Sequence, residues 1–119
     1  MSDYPRWRKA LAKANDAEFW PITAIDAMLA EGRAQFWAGE RSALVTQIVA
    51  YPGGAEALEA IAGAGDKQEI MGPIAEAVTA WAKSNGITHM KVKGRAGWSR
   101  AMKPHGWRHF QDTIIKDIR

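Results

Sequence analysis

The stretch "DKQEIMGPIAEAVTAWAKSNG", residues 66–86, constrains the fold more than any other part of the chain. It predicts a long amphipathic helix. Asn85 and Gly86 provide a left-handed stop at its end, and Gly72-Pro73 lies near its start. Because proline is tolerated in a first helical turn, we expect the helix body to begin at Pro73. The apolar face of the helix comprises Ile70, Ile74, Ala77, Val78 and Trp81.

Predicted strands lie on either side of this helix, at Ala57–Ala62 and at Ile87–Lys93. Small residues on both faces of the first strand favour a central position covered by helices. A strand, a long helix and a second strand indicate a right-handed crossover between parallel neighbours in one sheet.

The remaining segments predict the rest of the domain. Residues 4–16 form a helix capped by Asp3, and a second helix runs from a Thr23 cap to Gly32. A hairpin follows at Gln35–Trp37 and Ala43–Ala50. A short helix ended by Pro104 and Gly106 precedes a last strand, "WRHFQDTIIKDI", in which Ile114 and Ile118 face the core. The predicted order is α-α-β-β-β-α-β-α-β, a single mixed-sheet α/β (α+β) domain over residues 1–119.

The composition excludes several classes of protein. Cysteine is absent from the 119 residues, so disulfides, thiolate nucleophiles and Cys-ligated metals are impossible. No secretory hydrophobic segment follows Met1, and no apolar run approaches the roughly 18 residues of a membrane span. We expect a soluble, cytoplasmic-type protein with no membrane partner.

Positive charge collects at the carboxyl end, where eight of the 16 Lys/Arg residues lie from Lys91 onward, with only two acids. Strand alternation places Lys91 and Lys93 on one face, and a spacing of three places Arg100 and Lys103 on one face of the short helix. With Arg95 between them, these side chains predict a patch that binds an anion, nucleic acid or an acidic protein. A solvated basic face is the alternative.

Three stretches carry a resemblance to a known family: "FWAGERSALVTQIVAYP", "AVTAWAKSNGITHMKVKG" and "GWSRAMKPHGW". Their order resembles the opening hairpin, the long helix with its following strand, and the short C-terminal helix of the GNAT (acyl-CoA N-acyltransferase) fold. The pattern "GR.GW.R…K..GW" looks like that of small GNAT-like proteins encoded by bacteriophages and prophages.

The resemblance implies acetyl-CoA as cofactor if the protein is enzymatic. The family holds the diphosphate on an Arg/Gln-x-x-Gly-x-Gly/Ala stretch, and in this sequence Gly63 and Gly65, or Gly72, match parts of it. Asp66 and Glu69 are unfavourable neighbours for a diphosphate.

The family's tyrosine acid in the short helix corresponds to Met102. A general base for an amine would come from Glu59, Glu56 or His89. The three histidines have no metal-ligand spacing, so no metal site is expected.

Two functions stay open. The first is a phage or prophage GNAT-fold protein that binds a phage or host protein as a structural, assembly or host-interaction component, in the host cytoplasm or associated with the virion. The second is a small acetyl-CoA-dependent N-acetyltransferase acting on an unknown amine, which rests on fold analogy. Nucleic-acid binding is possible but is not favoured, because no known motif is present.

Overall fold

The computed structural model describes residues 3–93, 100, 102–110 and 116–118. Two helices open the chain, α1 (Tyr4–Ala14) and α2 (Ile22–Ala30). The predicted Thr23 cap is wrong, because Pro21 takes the N-cap position with extended backbone and α2 begins directly after it.

A four-stranded mixed sheet forms the centre of the molecule. Its strands are β1 (Gln35–Ala38), β2 (Ser42–Ala50), β3 (Glu56–Gly65) and β4 (His89–Lys91), in the spatial order β1-β2-β3-β4. β2 is antiparallel to both β1 and β3, and β4 is parallel to β3. The predicted hairpin, crossover and mixed α+β class are therefore confirmed, although β4 is shorter than the predicted Ile87–Lys93.

A β-bulge lies in the middle of β3. Val45 of β2 pairs with Ala62 and Thr46 pairs with Ala60, so Ile61 is an extra residue in β3. Ile61 and Ala62 both pack into the same hydrophobic core. The bulge thus reverses the side-chain alternation along β3, which also extends beyond the predicted Ala57–Ala62.

The crossover helix begins earlier than predicted. It consists of α3 (Lys67–Glu69), a π-helical segment (Ile70–Ile74) and α4 (Ala75–Ser84). Pro73 lies inside the π-helical segment, so the prediction that the helix starts at Pro73 is wrong. A π-helical turn accommodates the proline, whose missing N–H would otherwise interrupt regular α-helical bonding.

Two apolar layers cover the two faces of the sheet. On one face, Leu11 of α1 and Ile25 of α2 are fully buried against β2 and β3. On the other face, Leu58 of β3 packs against Val78 and Ala82 of α4. Each layer also contains an edge-to-face aromatic contact. The ring centroids are 5.5 Å apart for Tyr4–Phe36 and 5.7 Å apart for Trp37–Trp81.

The carboxyl-terminal segment is described only in part. A 3₁₀ turn (Lys103–His105) ends at Gly106, whose φ of 90° gives the predicted glycine stop. Residues 107–110 and 116–118 have no regular secondary structure, and the rest of the predicted last strand, including Ile114, lies outside the described residues. Ile118 is 91% exposed, contrary to the prediction that it faces the core. No helix of the described chain is long and apolar enough to cross a membrane.

Candidate functional site

The parallel strands β3 and β4 separate after a short paired stretch. Their pairs are Ala57 with His89, Leu58 with Met90, and Glu59 with Lys91. Beyond Glu59, β3 continues to Gly65 with no β4 partner among the described residues. The opening between the strands therefore begins beside Glu59.

Three polar side chains meet where the opening begins. The Lys91 Nζ donates a hydrogen bond to the Tyr51 hydroxyl at 2.8 Å and lies 3.5 Å from Glu59 Oε2. The Tyr51 hydroxyl in turn donates to Glu59. The bond to Tyr51, with the nearby charge of Glu59, raises the pKa of Lys91 above its usual value. Lys91 is therefore a charged, partnered lysine, and the Glu59 carboxylate is already engaged.

A groove of about 730 Å³ runs along β4. Its walls come from β3, α4, β4 and the segment after the 3₁₀ turn, and we call it the β4 groove. Three permanent cations and three aromatic rings line it, and no carboxylate is found among its described lining residues. The charged and aromatic lining comprises Lys83, Lys91, Arg108, Tyr51, Trp107 and Phe110, with His89 and His105.

The other two predicted general bases, His89 and Glu56, make few side-chain contacts with other described residues. His89 is exposed on β4, and its Nδ1 lies 2.7 Å from the Thr88 hydroxyl. Glu56 is exposed at the start of β3. No group of three or more His, Asp or Glu side chains among the described residues could hold a metal ion. Of the three candidate bases, only Glu59 lies at the divergence of β3 and β4.

The predicted cofactor glycines Gly63 and Gly65 have packing roles. A Cβ on Gly65 would collide with the backbone of Arg41 and Ser42, and its φ of 102° is one that side chains rarely adopt. A Cβ on Gly63 would lie 3.3 Å from a methyl group of Leu44. Gly72 has no such neighbour within 4 Å.

The turn from β3 to α3 is occupied by carboxylates of the chain itself. Asp66 Oδ1 accepts hydrogen bonds from the backbone N–H groups of Gln68 at 2.8 Å and of Glu69 at 3.4 Å. Its other oxygen, Oδ2, accepts from Arg41 Nε at 2.8 Å. The Arg41 bond and then the Gln68 N–H lower the pKa of the Asp66 carboxyl.

Glu69 fills the space next to Asp66. Its Oε1 accepts from the Arg41 backbone N–H at 3.0 Å and from the Ser42 hydroxyl. The Ser42 bond is the main cause of a lowered pKa for Glu69. Gly39 lies so close that a Cβ there would collide with the Glu69 carboxylate. The two carboxylates and Arg41 therefore form a closed network that links β2 to α3.

This network does not fit a CoA diphosphate. A diphosphate at a helix N-terminus needs free N–H groups and favours a positive surrounding potential. Here Asp66 accepts from two of those N–H groups, and Arg41 is paired with it. The residues at the β3-to-α3 turn are therefore unfavourable for binding acetyl-CoA, the cofactor that the fold implies.

Three of the five residues of the predicted basic patch are exposed. Lys93, Arg100 and Lys103 are exposed, and Arg95 lies outside the described residues. Lys91 points instead into its contacts with Tyr51 and Glu59. The structure adds Lys83 and Arg108 to the cations beside β4.

Sequence reasoning missed Tyr51, Arg41 and Ser42 as site residues. Arg41 is 25 residues from Asp66 along the chain. Tyr51 is 8 residues from Glu59 but 40 from Lys91, so no short motif contains all three. The pair Asp66 and Glu69 has the spacing of a capping box, and that signal does predict the capping role of Asp66. Glu69 departs from the capping box because it bonds Arg41 and Ser42.

No protein-family model matches the chain, and no curated protein matches it in sequence. Solved structures do match its fold. A predicted acetyltransferase with acetyl-CoA from Clostridium acetobutylicum has a TM-score of 0.71 at 9% identity, covering 98% of this chain and 90% of that chain.

Two further matches are named acetyltransferases. Glucosamine-6-phosphate N-acetyltransferase from Arabidopsis thaliana has a TM-score of 0.65 at 11% identity, covering 99% of this chain and 93% of that one. Ribosomal-protein-alanine N-acetyltransferase from Brucella melitensis has a TM-score of 0.62 at 12% identity, covering 99% and 94%. At identities this low, the likeness shows a shared fold and not a shared activity. The chain therefore has the GNAT acetyltransferase fold.

Proposed function

We propose that this chain uses the GNAT fold to bind a protein partner and does not hold acetyl-CoA at the β3-to-α3 turn. The observation that carries this proposal is the network of Asp66 and Glu69 with Arg41. A diphosphate placed at the turn would have to displace Asp66 from its N–H donors and would lie against the charge of Glu69.

A small acetyl-CoA-dependent N-acetyltransferase is the second candidate. The likeness to acetyltransferase structures, one of them with acetyl-CoA, favours this candidate over a binding role. Glu59 supports it too, because this carboxylate lies where β3 and β4 diverge. In this case Glu59 would accept the proton of the acceptor amine, and Tyr51 would have to release its hydrogen bond to that carboxylate.

The phage or prophage origin, with its virion or host-cell location, stays a prediction from the sequence. The matching structures give no information on it. The binding proposal does not depend on it, because it rests on the chemistry of the turn.

Calorimetric titration with acetyl-CoA separates the two candidates. We expect a Kd no tighter than roughly millimolar, which corresponds to about 4 kcal/mol of binding free energy. The control variant is Gly72→Asp, which adds a negative charge where no atom lies within 4 Å of the new Cβ. Micromolar binding that this variant weakens would contradict the binding proposal and support the acetyltransferase.

A further inference from the structure

The charges of the β4 groove are not balanced within the described part of the chain. Lys83 comes from α4 and Arg108 from the segment after the 3₁₀ turn, and both are exposed. Neither forms an ion pair with a described residue, whereas Arg8, Arg33 and Arg41 each pair with a carboxylate. Two cations from separate elements thus converge on one concave surface, and neither has an acidic partner in the part of the chain that the structure describes.

Apolar surface lies between these cations. Phe110 is 56% exposed, and Tyr51 is 36% exposed. The floor includes Ala57 and Met90 beside the half-buried Trp107. A groove that combines exposed aromatic rings with Lys83 and Arg108, which have no ion pair among the described residues, suits a ligand that carries both apolar side chains and negative charge.

The placement of the cations favours a peptide over a nucleic acid. Lys91 Nζ lies 4.7 Å from the Tyr51 ring centroid and 5.3 Å from that of Phe110. The Arg108 guanidinium lies 5.7 Å from the Phe110 centroid. Base stacking needs open ring faces, and these rings already have cations over them.

We propose that the β4 groove binds an acidic protein segment in which Asp or Glu side chains alternate with apolar ones. The carboxylates contact Lys83 and Arg108 on the two walls, and an apolar side chain contacts Phe110. This inference rests on the proposed binding function and names the surface and the class of partner.

The test uses a fluorescein-labelled peptide of alternating Glu and Leu residues as the probe, with fluorescence anisotropy as the measurement. We expect saturable binding at about 0.01 M salt that is largely lost at about 1 M, where the Debye length falls to roughly 3 Å. A matched peptide of alternating Lys and Leu should not bind.

Charge reversal then locates the binding surface. The double variant Lys83→Glu, Arg108→Glu should weaken binding of the acidic peptide roughly tenfold or more. Its Tm should fall only slightly, because both side chains are exposed but Lys83 lies in the last turn of α4, where a cation is favourable. The control, Lys9→Glu with Lys13→Glu, makes the same charge change on exposed positions of α1, away from the groove, and should leave the affinity close to that of the wild type.

Three results would overturn the inference. They are absence of salt-sensitive peptide binding up to millimolar concentration, equal weakening by both double variants, and tighter binding of a labelled oligothymidine than of the peptide. The acetyl-CoA titration is independent of all three, so failure of this inference leaves the outcome for the proposed function readable.

Discussion

At the carboxyl end of β3, the turn to α3 holds two carboxylates whose partners are Arg41, the Ser42 hydroxyl and backbone N–H groups. Toward the amino end of the same strand, the β4 groove holds Lys83 and Arg108 with no described carboxylate beside them. In the first region the carboxylates and Arg41 satisfy one another. In the second, the described residues do not balance Lys83 and Arg108.

The contrast teaches that the GNAT fold does not decide where this molecule can receive an anion. In the fold, the β3-to-α3 turn is the expected place for a diphosphate. Asp66 and Glu69 add negative charge at that turn, whereas Lys83 on α4 and Arg108 after the 3₁₀ turn add positive charge at the groove.

The largest expected effect comes from the core that supports both regions. Leu58 is 2% exposed and packs against α4. Leu58→Ala should lower the free energy of unfolding by about 2–5 kcal/mol, because it leaves a cavity between β3 and α4. Urea denaturation measures the change.

The control for this variant is Ile48→Ala. Ile48 is the direct cross-strand partner of Leu58 but is 41% exposed. We expect a loss below about 1 kcal/mol there, because much less apolar surface is buried. If the two variants lose equal free energy of unfolding, the contact between β3 and α4 is not part of the buried core.

A smaller effect tests whether Gly65 is a structural glycine. Gly65→Ala should destabilise by about 1–3 kcal/mol, since the residue has positive φ and its Cβ would meet the backbone of Arg41. Gly72→Ala, in the helical segment, should instead be neutral or stabilise by up to about 1 kcal/mol. Thermal unfolding of the two variants without any ligand would measure this, and a harmless Gly65→Ala would reopen a cofactor role for this glycine.

The smallest effect concerns acid sensitivity. Because the pKa values of Asp66 and Glu69 are lowered in the native state, their stabilisation is present above the unfolded values of about 4 and is lost as pH falls through the native values. The fall in Tm on acidification below about pH 5 should therefore be shallower in Asp66→Asn than in the wild type.

Asp16→Asn is the matched control for acid sensitivity. Asp16 also accepts a backbone N–H, from Glu18 at 2.9 Å, but no ion pair with it appears among the described residues. This variant should follow the acid profile of the wild type more closely. Identical profiles for all three proteins would show that ionisation of the Asp66 carboxyl contributes nothing to stability.

The fold was predictable to the extent that its signals are local. The apolar periodicity of residues 70–81 and the stop at Gly86 predict the crossover helix, and the hairpin pattern predicts β1 and β2. The bulge at Ile61 was not predictable, because the extra residue is specified by pairing with β2 and not by the sequence of β3. The π-helical segment around Pro73 was missed since proline is normally assigned to a first turn.

The candidate site, like the fold, was predictable only where its signals are local. The sequence pointed to Glu59, Gly65 and Lys91 as candidate site residues, but it did not show which of them contact distant parts of the chain. Gly65 is held by its close approach to Arg41, and Lys91 by Tyr51, whose position is 40 residues away in the chain. Contacts over such separations depend on strand register, which no short motif encodes.

The order of most elements, the apolar faces that cover the sheet and the excess of positive charge from Lys91 onward can all be read from the sequence. Those properties follow from periodicity and composition, which act over a few residues. The contacts of Asp66 and Glu69 at the turn, and the lack of described acidic partners for Lys83 and Arg108, are visible only in the folded chain. The physical reason is that the effect of a charge depends on what lies within a few ångströms of it, and folding brings those neighbours from distant parts of the chain.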